Sequence, residues 1–150
     1  MDIAEWDIHK GIANANKLLN RIILEAIESV DLRISTINGG GLRNAIPREA
    51  EATIIVADID LADLKSSIDS TSSELIAEYK VTDPELKISL EPTDFPSHAL
   101  PENTQNALLL AIQACPVGIH RMSPDIEGLV QTSNNLARIE VGNGNVNIQC

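Results

Sequence analysis

Between Ile8 and Val30 the apolar residues recur at three- and four-residue spacing: Ile12, Ala15, Leu19, Ile22, Ile23, Ala26, Ile27 and Val30. That spacing draws a single apolar stripe along a helix. Asn14, Lys17, Arg21, Glu25 and Glu28 take the other faces. A helix with one apolar stripe has to bury it against a second layer. Arg21 and Glu25, four residues apart, are spaced for an ion pair worth a few tenths of a kcal/mol, about 0.2–0.5. Directly after the helix the period changes from 3.6 to 2. From Asp31 to Asn38, Leu32, Ile34 and Thr36 face one way and Arg33 and Ser35 the other, the pattern of a half-buried strand.

The rest of the chain repeats these two periods. Asn38-Gly39-Gly40-Gly41 ends the first strand with a backbone free to take positive φ and to approach a ligand closely. Leu42 to Glu49 follows as a loop, with Pro47 unable to donate to a ladder. Ala50 to Ile59 is a second strand centred on Ile54, Ile55 and Val56, and Leu61 to Lys80 a second helix, weakened in the middle by Ser70 to Ser73. After Asp83-Pro84, the alternation of Leu86, Ile88 and Leu90 predicts a third strand. Asn103 to Cys115 reads as a third helix, and Pro116 to Gly128 as irregular chain. Leu129 to Glu140 and Asn145 to Gln149 form a hairpin about Gly142-Asn143-Gly144, the residue types a tight reversal needs.

The order α-β-β-α-β, then α, then β-β predicts the α+β class: a two-layer sandwich with an antiparallel sheet and helices on one face. A ferredoxin-like core would open with a strand, and Met1 to Trp6 leaves room for a minimal one at most. A 150-residue chain is one domain's worth. Aromatics make up 2% of it, so the core is aliphatic. A net charge of −11 argues against nucleic acid and anionic membranes as partners, because both bind through basic surface. No apolar run approaches a membrane span. Two cysteines, Cys115 and Cys150, are no disulfide framework, which makes the cytoplasm the expected compartment.

The search for chemistry is largely negative. His9, His98 and His120 have no partner at a metal-ligand spacing. Nucleophile-elbow and phosphate-loop motifs are missing. Cys115 has no evident base and reads as a buried, inert thiol. Asp60 reads as the N-cap of the second helix rather than as a base. Two loops stand out: Gly39 to Pro47 with Arg43 and Asn44, and Gly118 to Gly128 with His120 and Arg121. Arginine offers a planar fork for a carboxylate, and asparagine both a donor and an acceptor, so together they suit the ends of a small peptide. As residues alone they equally suit solvent-facing loops.

Three stretches carry a family resemblance: residues 7–19 (Asp-Ile-His-Lys-Gly-Ile-Ala-Asn-Ala-Asn-Lys-Leu-Leu), 40–50 (Gly-Gly-Leu-Arg-Asn-Ala-Ile-Pro-Arg-Glu-Ala) and 121–136 (Arg-Met-Ser-Pro-Asp-Ile-Glu-Gly-Leu-Val-Gln-Thr-Ser-Asn-Asn-Leu). In that order they resemble the aminoacyl-histidine dipeptidases, two-zinc metallopeptidases that cleave Xaa-His dipeptides. The resemblance implies the lid and dimerisation domain of such an enzyme, over residues 1–150, with the catalytic domain and both zinc ions elsewhere. It implies no catalytic residue, metal ligand or cofactor in this chain. Two substrate contacts follow, Asn44 and Arg121, the latter for the substrate carboxylate. The partners it implies are a second copy, in a homodimer, and the dipeptide.

The resemblance has limits. The family carries Gly-Gly-His-Ser-Gly immediately before Asp-Ile-His, and its histidine would fall here at Ile3. Residues 1–6 are therefore expected to be altered or non-native, and the ferredoxin-like first strand to be missing. The alternative kept open is a free-standing α+β module for ligand binding or oligomerisation.

Overall fold

A computed structural model describes the backbone of residues 3–4 and the whole of residues 10–150. The elements, in order, are β1 (Ile3–Ala4), α1 (Ala15–Ile27), β2 (Arg33–Gly39), β3 (Ala45–Ile46) and β4 (Ala50–Ile55). There follow a 3-10 turn (Asp58–Asp60), α2 (Leu61–Tyr79), α3 (Glu102–Ala114), β5 (Gly118–Met122), β6 (Val130–Asn134), β7 (Arg138–Gly142) and β8 (Asn145–Gln149). The main sheet has the order β4-β2-β7-β8 and is antiparallel throughout. Its register puts Ile34 opposite Ile54, Ile37 opposite Ala52 and Val141, and Ile139 opposite Ile148. These residues line one face. Thr36, Asn38, Glu51, Glu140 and Asn147 fall on the other, where Asn147 and Arg138 both bond Glu140. An antiparallel sheet with this alternation packs one face and wets the other.

The helices cover the apolar face over β4, β2 and β7 and leave Val146 and Ile148 of β8 exposed. Leu18, Ile22, Ile23 and Ala26 of α1, Leu64, Ile68 and Leu75 of α2, and Leu108, Leu109 and Ile112 of α3 join Ile34, Ile37, Leu136, Ile139 and Val141 in one cluster. The expected α+β two-layer class is the one observed. The minimal first strand, β1, pairs with β3 and not with the main sheet.

Several elements differ from their sequence reading, each for a physical reason. The first helix begins at Ala15 rather than in the stretch from Ile8, of which residues 8 and 9 lie outside the described residues. Gly11 sits at φ 67°, and Asn14 caps the helix by accepting the Lys17 N–H at 3.2 Å. Arg21 pairs with Glu78 at 2.8 Å and Glu74 at 3.3 Å on α2, so its ion pairs join two helices rather than one turn to the next toward Glu25. Asp60 does hold the N-cap position of α2, but its side chain makes no capping bond.

Leu86 to Leu90 joins no ladder. Its alternation arises because Leu86 and Ile88 rest on the core cluster, which requires burial of one side and no strand partner. Residues 129–140 are two strands and not one. They are broken at Asn135-Leu136-Ala137, a buried link where the chain leaves one sheet for the other. Gly118–Met122, read as irregular, is β5. Both of its faces are exposed, so no apolar alternation marks it.

Two polar side chains complete the frame. Between Leu32 and Ile34, β2 has β4 on one side and nothing of β7 on the other. Gln105 of α3, 2% exposed, stands in for the strand that is not there. It donates to the Leu32 carbonyl at 2.9 Å and accepts the Ile34 N–H at 2.7 Å. Lys17 of α1 closes the other end of α3 by donating to the carbonyls of Ile112, Gln113 and Cys115 at 2.9, 2.8 and 3.0 Å. A cation there complements the helix dipole, and α3 has no basic residue of its own in its last turn.

Candidate functional site

Asn44 lies on the turn between β2 and β3, exposed, with no hydrogen-bond partner among the described residues. The turn around it is held at every exit. The Ala45 N–H returns to the Leu42 carbonyl at 3.2 Å, the Gly40 N–H donates to Glu49 at 3.1 Å, and Pro47 accepts from the first helical N–H, Ala15, at 3.0 Å. Ala45 and Ile46 are buried. Arg48 makes a two-pronged contact with Asp83, whose side chain is 7% exposed and also accepts the Ala13 N–H at 2.7 Å. The glycines do approach something closely, but it is their own protein. A Cβ on Gly39 would come within 1.9 Å of the Asn16 amide oxygen. One on Gly40, at φ 76°, would come as close to the Ala137 carbonyl. Beside the turn an open hollow of about 730 Å³ is walled by residues 38–42 and 45–51. Arg43 and Asn44 are not part of its wall.

Arg121 lies on β5, in a small hairpin with β6, opposite Thr132. The register shifts on both sides of it, between Ile119 and Arg121 and between Arg121 and Met122. Such irregularities bend a strand and re-aim its side chains. Arg121 is exposed and has no ion pair among the described residues, in a chain with net charge −11. Around it Ile119, Met122, Ile126 and Leu129 are 37%, 45%, 58% and 48% exposed. The loop beyond is ordered by Ser123, whose hydroxyl accepts the N–H groups of Asp125 and Ile126 at 3.3 and 3.1 Å, while its own N–H donates to Leu129 at 2.8 Å.

No direct contact joins Asn44 to Arg121. A buried node links the segments that carry them. Asn135, 3% exposed and one residue past β6, donates to the Ala45 carbonyl at 2.8 Å, next to Asn44. Its oxygen accepts from the Asn14 amide at 3.0 Å, and Asn14 also donates to Leu136 at 3.1 Å. Asn16 donates to the same Leu136 carbonyl at 3.2 Å. The helix cap, the Asn44 turn and the root of the Arg121 hairpin therefore share one polar cluster.

The profile of the peptidase dimerisation domain family matches residues 3–83, more than half of the chain. The chain belongs to that family. A curated relative, the cytosol non-specific dipeptidase of Escherichia coli strain K12, is 38% identical over 144 residues, which are 96% of this chain and 30% of that protein. The crystal structure of aminoacylhistidine dipeptidase from Vibrio alginolyticus superposes with a TM-score of 0.90 at 32% identity, over 95% of this chain and 29% of that one. The chain thus spans about 30% of the length of these relatives, both of which are dipeptidases.

Among the described residues no three His, Cys, Asp or Glu side chains cluster so as to hold a metal ion. His98 shares a hydrogen with the Ser97 hydroxyl at 2.7 Å, His120 is exposed on β5, and His9 lies outside the described residues. Cys115 is half-buried rather than buried. Sequence reasoning missed the node of Asn14, Asn16 and Asn135 and the Arg48–Asp83 clamp. The only signal for them was an unusual density of asparagine and a Pro-Arg beside a loop. No helix among the described residues is long and apolar enough to cross a membrane.

Proposed function

We propose that this domain is the lid and dimerisation part of a cytoplasmic, zinc-dependent aminoacyl-histidine dipeptidase, acting with a catalytic domain that holds both metal ions. In this reading it closes over Xaa-His dipeptides and pairs with a second copy of itself. Arg121 binds the substrate carboxylate, and Asn44 supplies a polar contact to the substrate. The observation that carries the reading is the Arg121 hairpin: an arginine without a partner among the described residues, on a bulged strand, set among exposed apolar side chains. An opposing surface that covers Ile119, Met122, Ile126 and Leu129 would exclude water from the same place where Arg121 meets an anion, which strengthens that contact.

In this reading the catalytic step belongs to the metal-bearing domain. What this chain supplies is orientation, exclusion of water and two polar contacts. The test is Arg121→Ala in the intact dipeptidase. A charge-assisted contact worth about 1.5–3 kcal/mol corresponds to a loss of roughly 10- to 150-fold in kcat/KM for Xaa-His dipeptides, with zinc content unchanged. Unaltered turnover would remove Arg121 from the site. The 150-residue chain alone should neither hydrolyse these dipeptides nor retain stoichiometric zinc, and peptide-bond cleavage by the purified chain would end the reading.

A further inference from the structure

Cys115 and Cys150 are 35 residues apart in sequence, yet their sulfurs lie 3.4 Å apart. Both thiols are free, one half-buried and one exposed. Their placement brings together two distant elements of the fold. Cys115 is the C-cap of α3, in the helix layer, and Cys150 follows the last residue of the edge strand β8. A third element meets them there. The Asn134 amide, at the end of β6, donates to the Pro116 carbonyl at 2.7 Å and lies 3.8 Å from the Cys115 sulfur.

We propose that Cys115 and Cys150 form a reversible dithiol–disulfide site that takes low-molecular-weight disulfides of the glutathione class as its oxidant. A disulfide needs its sulfurs about 2.05 Å apart. The observed separation of 3.4 Å puts the two sulfurs in contact but short of bonding distance, so closure needs only a further approach of these two atoms.

The exchange proceeds in two balanced steps. The exposed Cys150 thiolate attacks one sulfur of the small disulfide, forming a mixed disulfide and expelling one thiolate. The Cys115 thiolate then attacks the Cys150 sulfur, closes the internal disulfide and expels the second. Two protein thiols are oxidised, one small disulfide is reduced to two thiols, and the two protons leave with them. The order of attack follows exposure. Burial pushes the Cys115 thiol up, and its hydrogen bond to Cys150 pushes it further, while the nearby Lys17 ammonium works in the opposite sense. Cys115 is the slower nucleophile toward solvent but stands against the Cys150 sulfur when the second step is due.

Once closed, the bond would brace the end of α3 to the edge strand and, through Asn134, to the root of the Arg121 hairpin. The site does not depend on any peptidase activity and is testable on the chain itself. The reduced chain is equilibrated anaerobically with glutathione buffers of graded oxidised-to-reduced ratio. It is then quenched, alkylated and read by mass spectrometry, folded and in concentrated guanidinium. The expected product is an intramolecular disulfide on a single chain. It should close in the folded state at an equilibrium constant at least about tenfold above that in guanidinium, with a melting temperature raised by roughly 5–15 °C. Cys115→Ser should stop at a mixed disulfide on Cys150. Separate glutathione adducts on both cysteines, a disulfide between two chains, or closure no better folded than unfolded would each overturn the proposal. So would a melting temperature that does not rise.

Discussion

Asn135→Ala tests whether the buried asparagine node holds the turn and the hairpin together. Asn135 is 3% exposed and uses both ends of its amide, 2.8 Å to the Ala45 carbonyl and 3.0 Å from the Asn14 amide. Truncation removes the bond to Asn14, a net loss of about 1 kcal/mol, and leaves the Ala45 carbonyl desolvated without a donor, a further loss of about 1–3 kcal/mol. Asn14 keeps its second acceptor, Leu136, so no further orphan arises on that side. The expected destabilisation is about 2–4 kcal/mol. Urea unfolding followed by far-ultraviolet circular dichroism should show the midpoint falling by roughly 1–2 M with an unchanged slope.

Asn135→Asp sharpens the test. It keeps the acceptor for Asn14 but turns a carboxylate oxygen toward the Ala45 carbonyl, so it should be at least as damaging near neutral pH. A protonated carboxyl can donate to that carbonyl. The folded protein should therefore raise this group above its ordinary range and recover stability as pH falls. Asn135→Ala within about 0.5 kcal/mol of the parent, a change typical of surface sites, would refute the reasoning. So would an Asn135→Asp variant that behaves the same at pH 4 and pH 7.

Other expectations follow from single contacts. Gly40→Ala places a methyl 1.9 Å from the Ala137 carbonyl at φ 76° and should cost more than about 2 kcal/mol in chemical denaturation, whereas Gly41→Ala, with nothing within 4 Å, should change stability by less than about 0.5 kcal/mol. Asp83→Ala leaves the Ala13 N–H without its acceptor and the part-exposed Arg48 with the Ala13 carbonyl alone; the expected loss is about 2–3 kcal/mol, below that of a fully buried pair because Arg48 retains that carbonyl and water, and a change under about 0.5 kcal/mol would remove the clamp from the account. Burial holds the Tyr79 phenol above its ordinary value of 10.0. A group raised on folding lends stability that is complete below its unfolded pKa and lost as pH rises through the folded one. Thermal melts above pH 10 should accordingly decline more steeply for the parent than for Tyr79→Phe, and parallel declines would contradict this.

The parts of the fold that could be read from the sequence are those with a one-dimensional cause. The stripe on α1 and the Gly142-Asn143-Gly144 reversal are local patterns, and both elements form, with Asn143 at φ 51° and Gly144 at φ 76° as a tight turn requires. The Leu86 to Leu90 alternation misled because period 2 reports which side is buried and not whether an edge is available to pair. β5 was invisible for the complementary reason: it pairs with β6 but buries neither face. The positions of Asn44 and Arg121 came from a family resemblance. What the sequence could not convey is the way the chain holds their segments. The bonds from Asn14 to Asn135 and Leu136 span 121 and 122 residues, and nothing in a linear pattern announces a partner that distant.

A domain presents polar side chains only as firmly as its backbone holds them. A loop that carries a polar contact loses affinity by the entropy of ordering it, and an exposed turn with glycines would ordinarily lose much. Here Gly39 and Gly40 are consumed by close approach to Asn16 and Ala137, and Gly41 alone has open space beside it. The turn's next residue is fixed by Asn135, and its far end by Arg48 on Asp83. The flexible composition of residues 39–41 thus yields a restrained backbone, with freedom left mainly in the Arg43 and Asn44 side chains. The Arg121 hairpin differs. It forms its own two-stranded sheet and attaches through Asn134 and Asn135 alone among the contacts described. Of the two, the hairpin is the element with latitude to move against an opposing surface, and the turn is the one that keeps its place. Native-state hydrogen exchange should therefore protect the Ala45 and Gly40 amides far longer than those of β5 and β6, and equal protection of the two would show that both are rigid.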